Sequence, residues 1–227
     1  MKQNKYDNWF RRTRGEFCPI ADQFAGRPIV YVEIGNWAGA SLEYVCLNVL
    51  THPESIAVGI DPYDQALERA RWDVAEIKEI AKNRVAAAIG DRGHWIYEPS
   101  ETGLLKLPAI LKGRSIDLLY IDGQHEAPNV LLDFLLAWPH LKDGSIVIFD
   151  DYVKKIAYHL SHVRHAVAAI ELCFAHRVRP FHIGRQYALE VMMHKLPGVA
   201  MRHSGQFPVY PNLAIPEVFP DGRAKSG

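Results

Sequence analysis

Asp122-Gly123-Gln124-His125 and Asp150-Asp151 are the residues of this 227-residue chain whose types and spacing carry the most chemistry. Each group follows a short β-rich run, Asp117–Ile121 in one case and Ser145–Phe149 in the other. If the two runs are neighbouring strands, Asp122, Asp150 and Asp151 converge at one edge. Carboxylates crowded together repel unless a proton or a cation relieves them. Hard oxygen donors with no cysteine partner suit Mg²⁺, Mn²⁺ or Ca²⁺. The competing role for Asp150 and Asp151 is to cap a following helix. His125 lies three residues beyond Asp122, on the loop over the same place, where a neutral imidazole can accept a proton near neutral pH.

A second group of residues has the makings of a nucleoside site. Gly59-Ile60-Asp61-Pro62 ends another apolar run. An acid there is placed to accept hydrogen bonds from both ribose hydroxyls, or else to cap a helix that opens at Pro62. Glu33-Ile34-Gly35-Asn36-Trp37-Ala38-Gly39-Ala40-Ser41 follows the first apolar run. Gly35 lets the chain turn sharply, and Gly39 lets a ligand or a helix approach the backbone. The segment lacks the glycine spacing of a dinucleotide fingerprint, and no Gly-Lys-Ser/Thr phosphate loop occurs. Gly90-Asp91-Arg92 closes a third run, Val85–Ile89, either within reach of an adenine or as a plain turn.

These residues need a scaffold, and the chain supplies one. Near-continuous apolar runs at residues 29–34, 56–60, 85–89, 117–121 and 145–149 read as parallel strands covered on both faces. Helical spacings lie between them: Leu42, Val45 and Val49; then Leu67, Ala70, Val74, Ile77 and Ala81; then Val130 to Trp138; then Ile156, Leu160, Val163, Val167, Ile170 and Phe174. Alternation of this kind predicts a doubly wound α/β, Rossmann-like sheet. Two last runs, 180–183 and 188–194, are joined too closely for a crossover and predict an antiparallel hairpin. The expected division is an N-terminal segment 1–27 that overhangs the site as a lid, a main domain 28–196, and a Pro-rich tail 197–227.

Composition narrows the function classes. Lys plus Arg equals Asp plus Glu, so net charge offers no general attraction to nucleic acid or to an anionic membrane. Three scattered cysteines argue against a disulfide framework. No apolar leader follows Met1, and no window is long enough to span a bilayer, so a cytoplasmic protein is expected. A homo-oligomer is compatible with all of this. His159, His162 and His165 are spaced to lie mostly off the apolar stripe, as a solvated face. Trp9 to Arg14 reads as a packing segment near the ligand site.

Glu33-Ile34-Gly35 through Gly39 and Ser41, Gly59-Ile60-Asp61, Ile121-Asp122-Gly123 with His125, Trp138 through Gly144, and Ile148 through Tyr152 together resemble class I S-adenosylmethionine-dependent methyltransferases. Within that class they look most like the small-molecule O-methyltransferases that include the macrolide sugar enzymes. The resemblance implies a seven-stranded sheet whose last strand runs antiparallel. It implies that Glu33, Gly35, Gly39, Ser41, Asp61, Gly90 and Asp91 surround S-adenosylmethionine. It further implies that Asp122, Asp150 and Asp151 hold a divalent ion, with Mg²⁺ first, and that His125, together with Asp122, serves the transfer to a hydroxylated small molecule. The alternatives are a methyltransferase whose acids work without metal, and a nucleoside- or dinucleotide-binding protein with no methyl chemistry. A metal-dependent hydrolase would leave Asp61 without a role.

Overall fold

The computed structural model describes residue 6 and residues 8–64, 72–153 and 162–193. Leu67, Ala70, Ile156 and Leu160, expected on helices, lie outside these residues, as do His159, His194 and the segment 197–227. Seven strands form one sheet: β1 (Val30–Ile34), β2 (Ile56–Ile60), β3 (Gly93–Ile96), β4 (Ile116–Ile121), β5 (Leu141–Phe149), β6 (Val178–Ile183) and β7 (Tyr187–Val191). Their order is β3-β2-β1-β4-β5-β7-β6. The first five run parallel, and β7 is antiparallel to both β5 and β6. The expected mixed α/β sheet is therefore present.

The continuous apolar runs have a physical cause. Along a strand, successive side chains alternate between faces, so a sheet covered on both sides buries every residue. Tyr31, Leu118, Tyr120, Ile146 and Ile148 join a core with Phe17 of α1 (Asn8–Ala21), Leu42 and Val45 of α2 (Ala40–Asn48) and Val85 of α3 (Val74–Ile89). Val32, Ile34, Leu119, Ile121, Val147 and Phe149 join a second core on the opposite face. That core contains Leu107 of α5 (Leu107–Leu111), Phe134 of α6 (Ala127–Ala137) and Val167 of α7 (Val163–Cys173). A fully buried Phe such as Phe134 contributes about 1.5–3 kcal/mol relative to exposure.

One strand assignment is corrected. Val85–Ile89 is the end of α3, and the third strand is Gly93–Ile96. Val74, Ile77, Ala81, Val85 and Ile89 are the buried positions of α3, at helical spacing. Alanines 86–88 favour helix over strand. The Asp73 side chain accepts from Glu76 N (2.9 Å) and caps the helix start. The solvated histidine face holds in part: His165 is exposed as expected, whereas His162 is buried, and its backbone N–H donates to His165 Nδ1 (3.0 Å) in a capping box that opens α7. The N-terminal segment contains helix α1, whose Phe17 packs on Tyr120 with ring centroids 4.8 Å apart. Among the described residues no helix is long and apolar enough to cross a membrane.

Candidate active site

Strand register places the expected site residues in one row. Ile34 lies opposite Ile60 on one side and Ile121 on the other, and Ile121 lies opposite Phe149. The residues immediately beyond are Asp61, Gly35, Asp122 and Asp150. The chain leaves β1 toward one face of the sheet and β4 toward the other, and these strands are neighbours. A crevice opens at such a switch point. Here it is a cleft of about 1040 Å³, at the upper end of the ~300–1,000 Å³ usual for ligand pockets.

Gly35 and Asp61 shape one half. Gly35 has φ +81°, and a Cβ there would collide with the Asp122 carbonyl and with Gly123. Only glycine allows β1 to turn this close to β4. Asp61 is 8% exposed; its Oδ2 accepts from the backbone N–H groups of Asn36 (2.8 Å) and Trp37 (3.1 Å), and its Oδ1 from Tyr63 N (2.9 Å). Burial pushes its carboxyl upward against those hydrogen bonds. Asp61 therefore holds the turn after β1 while lining the cleft.

Of the other expected cofactor residues, Ser41 lines a smaller pocket with Gly35, Asp122 and Asp150, and the rest stand away from the cleft wall. Glu33 is fully buried behind the cleft, where its carboxyl accepts from Tyr31 Oη (2.5 Å) and Ser41 Oγ (2.7 Å). Burial pushes it up to about 7. Gly39 (φ +72°) is packed against Ala81 of α3. Gly90 and Asp91 precede β3, so they sit at the opposite end of the sheet from the cleft. The strand reassignment explains this displacement: the residue that β3 delivers beside Asp61 is Tyr97, because Ile96 pairs with Ile60.

The acids on the far side divide into two partnerships. The Asp122 and Asp150 side chains hydrogen-bond to each other, which requires a shared proton. Gln186 Nε2 donates to Asp150 Oδ1 (2.7 Å), favouring its ionised form, so the proton resides on Asp122. Burial first, and then the charge of Asp150, raises Asp122 well above the usual carboxylate range. Gln186 reaches Asp150 because Tyr187 pairs with Phe149 in the β5–β7 register. Asp151 takes a different partner: its carboxylate lies 2.8 Å from His125 Nε2. Among the described residues no group of three His, Cys, Asp or Glu side chains is arranged to hold a metal ion.

Several cleft residues escaped the sequence reading. Asp133, on α6, is 2% exposed and lines the cleft with Ser100 and Glu101 of the short helix α4 (Ser100–Gly103). Burial, reinforced by the charge of Glu101, pushes it up to about 6. Its signal was available, since Val130, Asp133, Phe134 and Ala137 are the buried positions of α6 and one of them is an acid. Arg185 of the β6–β7 turn also lines the cleft, from a segment distant in sequence, and Trp9, Arg12 and Thr13 of α1 line it where a packing segment near the site was expected.

Comparisons with known proteins agree with this geometry. A family model described as a methyltransferase domain matches residues 32–152, more than half of the chain and nearly all of the row described above. An uncharacterized protein of Acanthamoeba polyphaga mimivirus is 29% identical over 155 residues, covering 67% of this chain; the chain spans 64% of that relative. An O-methyltransferase from Bacillus cereus, solved with S-adenosylhomocysteine (SAH), superposes with TM-score 0.59 at 15% identity, over 83% of this chain and 84% of that one. The O-methyltransferase TomG from Streptomyces achromogenes, solved with S-adenosylmethionine (SAM), gives 0.55 at 18% identity, over 78% of each chain. At these identities the two structures show a common fold.

Proposed function

Because this chain belongs to the methyltransferase domain family, we propose that it moves a methyl group from S-adenosylmethionine to a hydroxyl of a small molecule, with His125 as the base. SAM supplies a methyl group already activated by its sulfonium. The cleft suits this cation: Asp61, Asp122 and Asp150 line it, and Gly35 keeps side-chain bulk away from the turn beside them. Gly35 and Asp61 would hold the donor, with Ser100 and Asp133 available to its base. The O-methyltransferases that share the fold support oxygen as the acceptor atom.

The observation that carries the reading is the His125–Asp151 pair, 2.8 Å apart in the same cleft as Asp61. Methyl transfer needs the acceptor oxygen in line with the methyl group and a place for the acceptor's proton. Nε2–H pointing at Asp151 leaves Nδ1 as the basic nitrogen. After proton uptake the carboxylate stabilises the imidazolium, much as the acid of a catalytic triad does.

A divalent ion held by Asp122, Asp150 and Asp151 together does not fit this arrangement, since Asp151 is turned to His125 and the other two share a proton. Magnesium stays as a second reading because two carboxylates meeting at the cleft are a pair that a cation relieves as well as a proton does. Calorimetric titration with SAM, SAH and NAD, followed by a transfer assay in EDTA and in Mg²⁺, tests both. Donor binding with EDTA-resistant turnover is expected. Binding of NAD alone would sink the methyl-transfer reading, and turnover restored only by Mg²⁺ would favour the second one.

A further inference from the structure

The rim of the cleft carries two arginines that the reaction above does not use. Arg12 is on α1 and Arg185 is in the β6–β7 turn; both are exposed and both line the cleft. Among the described residues neither guanidinium has a carboxylate partner. Other arginines are engaged: Arg84 with Glu43, Arg179 with Glu190, and Arg92 with three backbone carbonyls.

The two come together through a specific joint. Glu16 Oε2 accepts from Gln186 N (3.1 Å) and lies 3.0 Å from His182 Nε2. Gly184 permits that approach, because a Cβ there would collide with the Glu16 carboxylate. Arg12 is four residues before Glu16 and so shares its helix face. Arg185 is the residue before Gln186. The joint therefore holds two like charges at one rim, with its own carboxylate committed to His182 and Gln186. Guanidiniums without a carboxylate partner at the rim of one cleft are open to an anion. Arg185 stands at the Asp150 end of the cleft, through Gln186, and Thr13, next to Arg12, lines a smaller pocket with Asp122 and Asp150.

A cationic methyl donor gains nothing from two guanidiniums, whereas an acceptor bearing a planar or tetrahedral anion gains charge-assisted, often bidentate, hydrogen bonds. We propose that Arg12 and Arg185 bind a carboxylate or phosphate group carried by the acceptor, so that the substrate class is an anionic, hydroxylated small molecule. This assignment rests on the methyl-transfer reading, which makes the cleft a two-ligand site. Trp9, over whose ring Arg12 lies at 5.3 Å, supplies an apolar surface beside the anion position.

The test is calorimetry on the full chain, with and without SAH, using sodium pyrophosphate and sodium benzoate as the two anion sources and benzyl alcohol as the neutral control. At least one anion should bind, more weakly as salt rises, and benzyl alcohol should bind less well than benzoate. Arg12→Gln/Arg185→Gln should weaken the anion by about tenfold or more and leave SAH affinity within about twofold. The Lys/Lys variant, which keeps both charges, should fall between. The anion that binds tells a carboxylated acceptor from a phosphorylated one. Absence of binding by both anions, equal binding to the Gln/Gln variant, or SAH affinity falling in step with anion affinity would overturn the proposal. Failure of SAH to bind wild-type protein would instead remove the methyl-transfer reading, and the titration without SAH would still decide whether the arginines take an anion.

Discussion

Asp151 meets His125 Nε2 at 2.8 Å from a left-handed backbone, φ +52°, at the end of β5. Aspartate and asparagine tolerate that conformation better than other non-glycine residues, so the turn and the pairing favour the same kind of side chain. The neighbouring Asp150 faces Asp122 and Gln186 instead. Two adjacent acids thus serve separate partnerships.

His125→Ala should lower single-turnover methyl transfer by about 10²–10⁴-fold, the usual range for a general base. SAH affinity should stay within about twofold by calorimetry. Asp151→Asn keeps the backbone conformation and a hydrogen-bonding group while removing the charge, so a smaller loss, roughly tenfold, is expected. A His125→Ala rate equal to wild type would remove the imidazole from the reaction.

Two glycines with positive φ should respond very differently to alanine. At Gly90 a Cβ meets open space, so Gly90→Ala costs only the backbone strain of a conformation that glycine alone adopts readily (φ +56°, ψ −132°), about 1–3 kcal/mol, and SAH affinity is unchanged. At Gly35 the same change drives a methyl group into the Asp122 carbonyl. Gly35→Ala should cost more than Gly90→Ala in urea unfolding and should also weaken SAH binding. Weakened binding in Gly90→Ala would return that segment to the cofactor site.

Asp61→Ala removes the acceptor for three backbone N–H groups. Each donor left buried without a partner costs about 1–3 kcal/mol, so the expected loss in urea unfolding is about 3 kcal/mol or more. SAH affinity should fall as well. Asp61→Asn, which keeps one acceptor oxygen, should lose about half as much stability. A stable Asp61→Ala protein with intact SAH binding would mean that neither role is right.

Glu33 supplies a pH test. Its folded carboxyl titrates at about 7 against 4.5 in a solvated reference, because burial disfavours the charged form. The native state therefore holds this proton more tightly than the unfolded chain does. Stability from this group is fully present below about 4.5 and is lost as pH rises through about 7, on the order of 3 kcal/mol in all. Urea unfolding at about pH 5 and about pH 8 should show a larger drop for wild type than for Glu33→Gln. Equal drops would mean that Glu33 does not titrate in this window.

Much of the scaffold was legible because burial on both faces leaves a continuous apolar signature, as in Val30–Ile34 and Ile116–Ile121. The same signature misled at Val85–Ile89, where a buried helix end and a buried strand look alike over five residues. The true strand, Gly93-His94-Trp95-Ile96, is a short edge strand with one buried residue, so it carries little apolar signal. At the site, Gly35, Asp61, Asp122, Asp150 and His125 were readable as residues that end strands or follow them closely. Glu16, Gln186 and Arg185 were not, because their roles arise from contacts between chain segments far apart, for which a linear pattern has no marker. The pairing of Asp151 with His125 has no marker either, since strand position says where an acid stands and not which way it turns.

The joint between Glu16 and Gln186 spans 170 positions. During synthesis α1 leaves the ribosome first, yet its anchoring partner is among the last of the described residues to follow. The strands that carry Asp61 and Asp122 can pair before that hairpin exists. Asp150 gains its Gln186 contact, and α1 its anchor on Gln186, only when the hairpin closes. Contacts of this range are slow to form, because loop closure must precede any stabilisation they bring. The order of assembly thus separates an Asp61 half of the cleft that forms early from an Asp150 half completed by the last turn, and keeps the nascent chain from presenting a finished cleft.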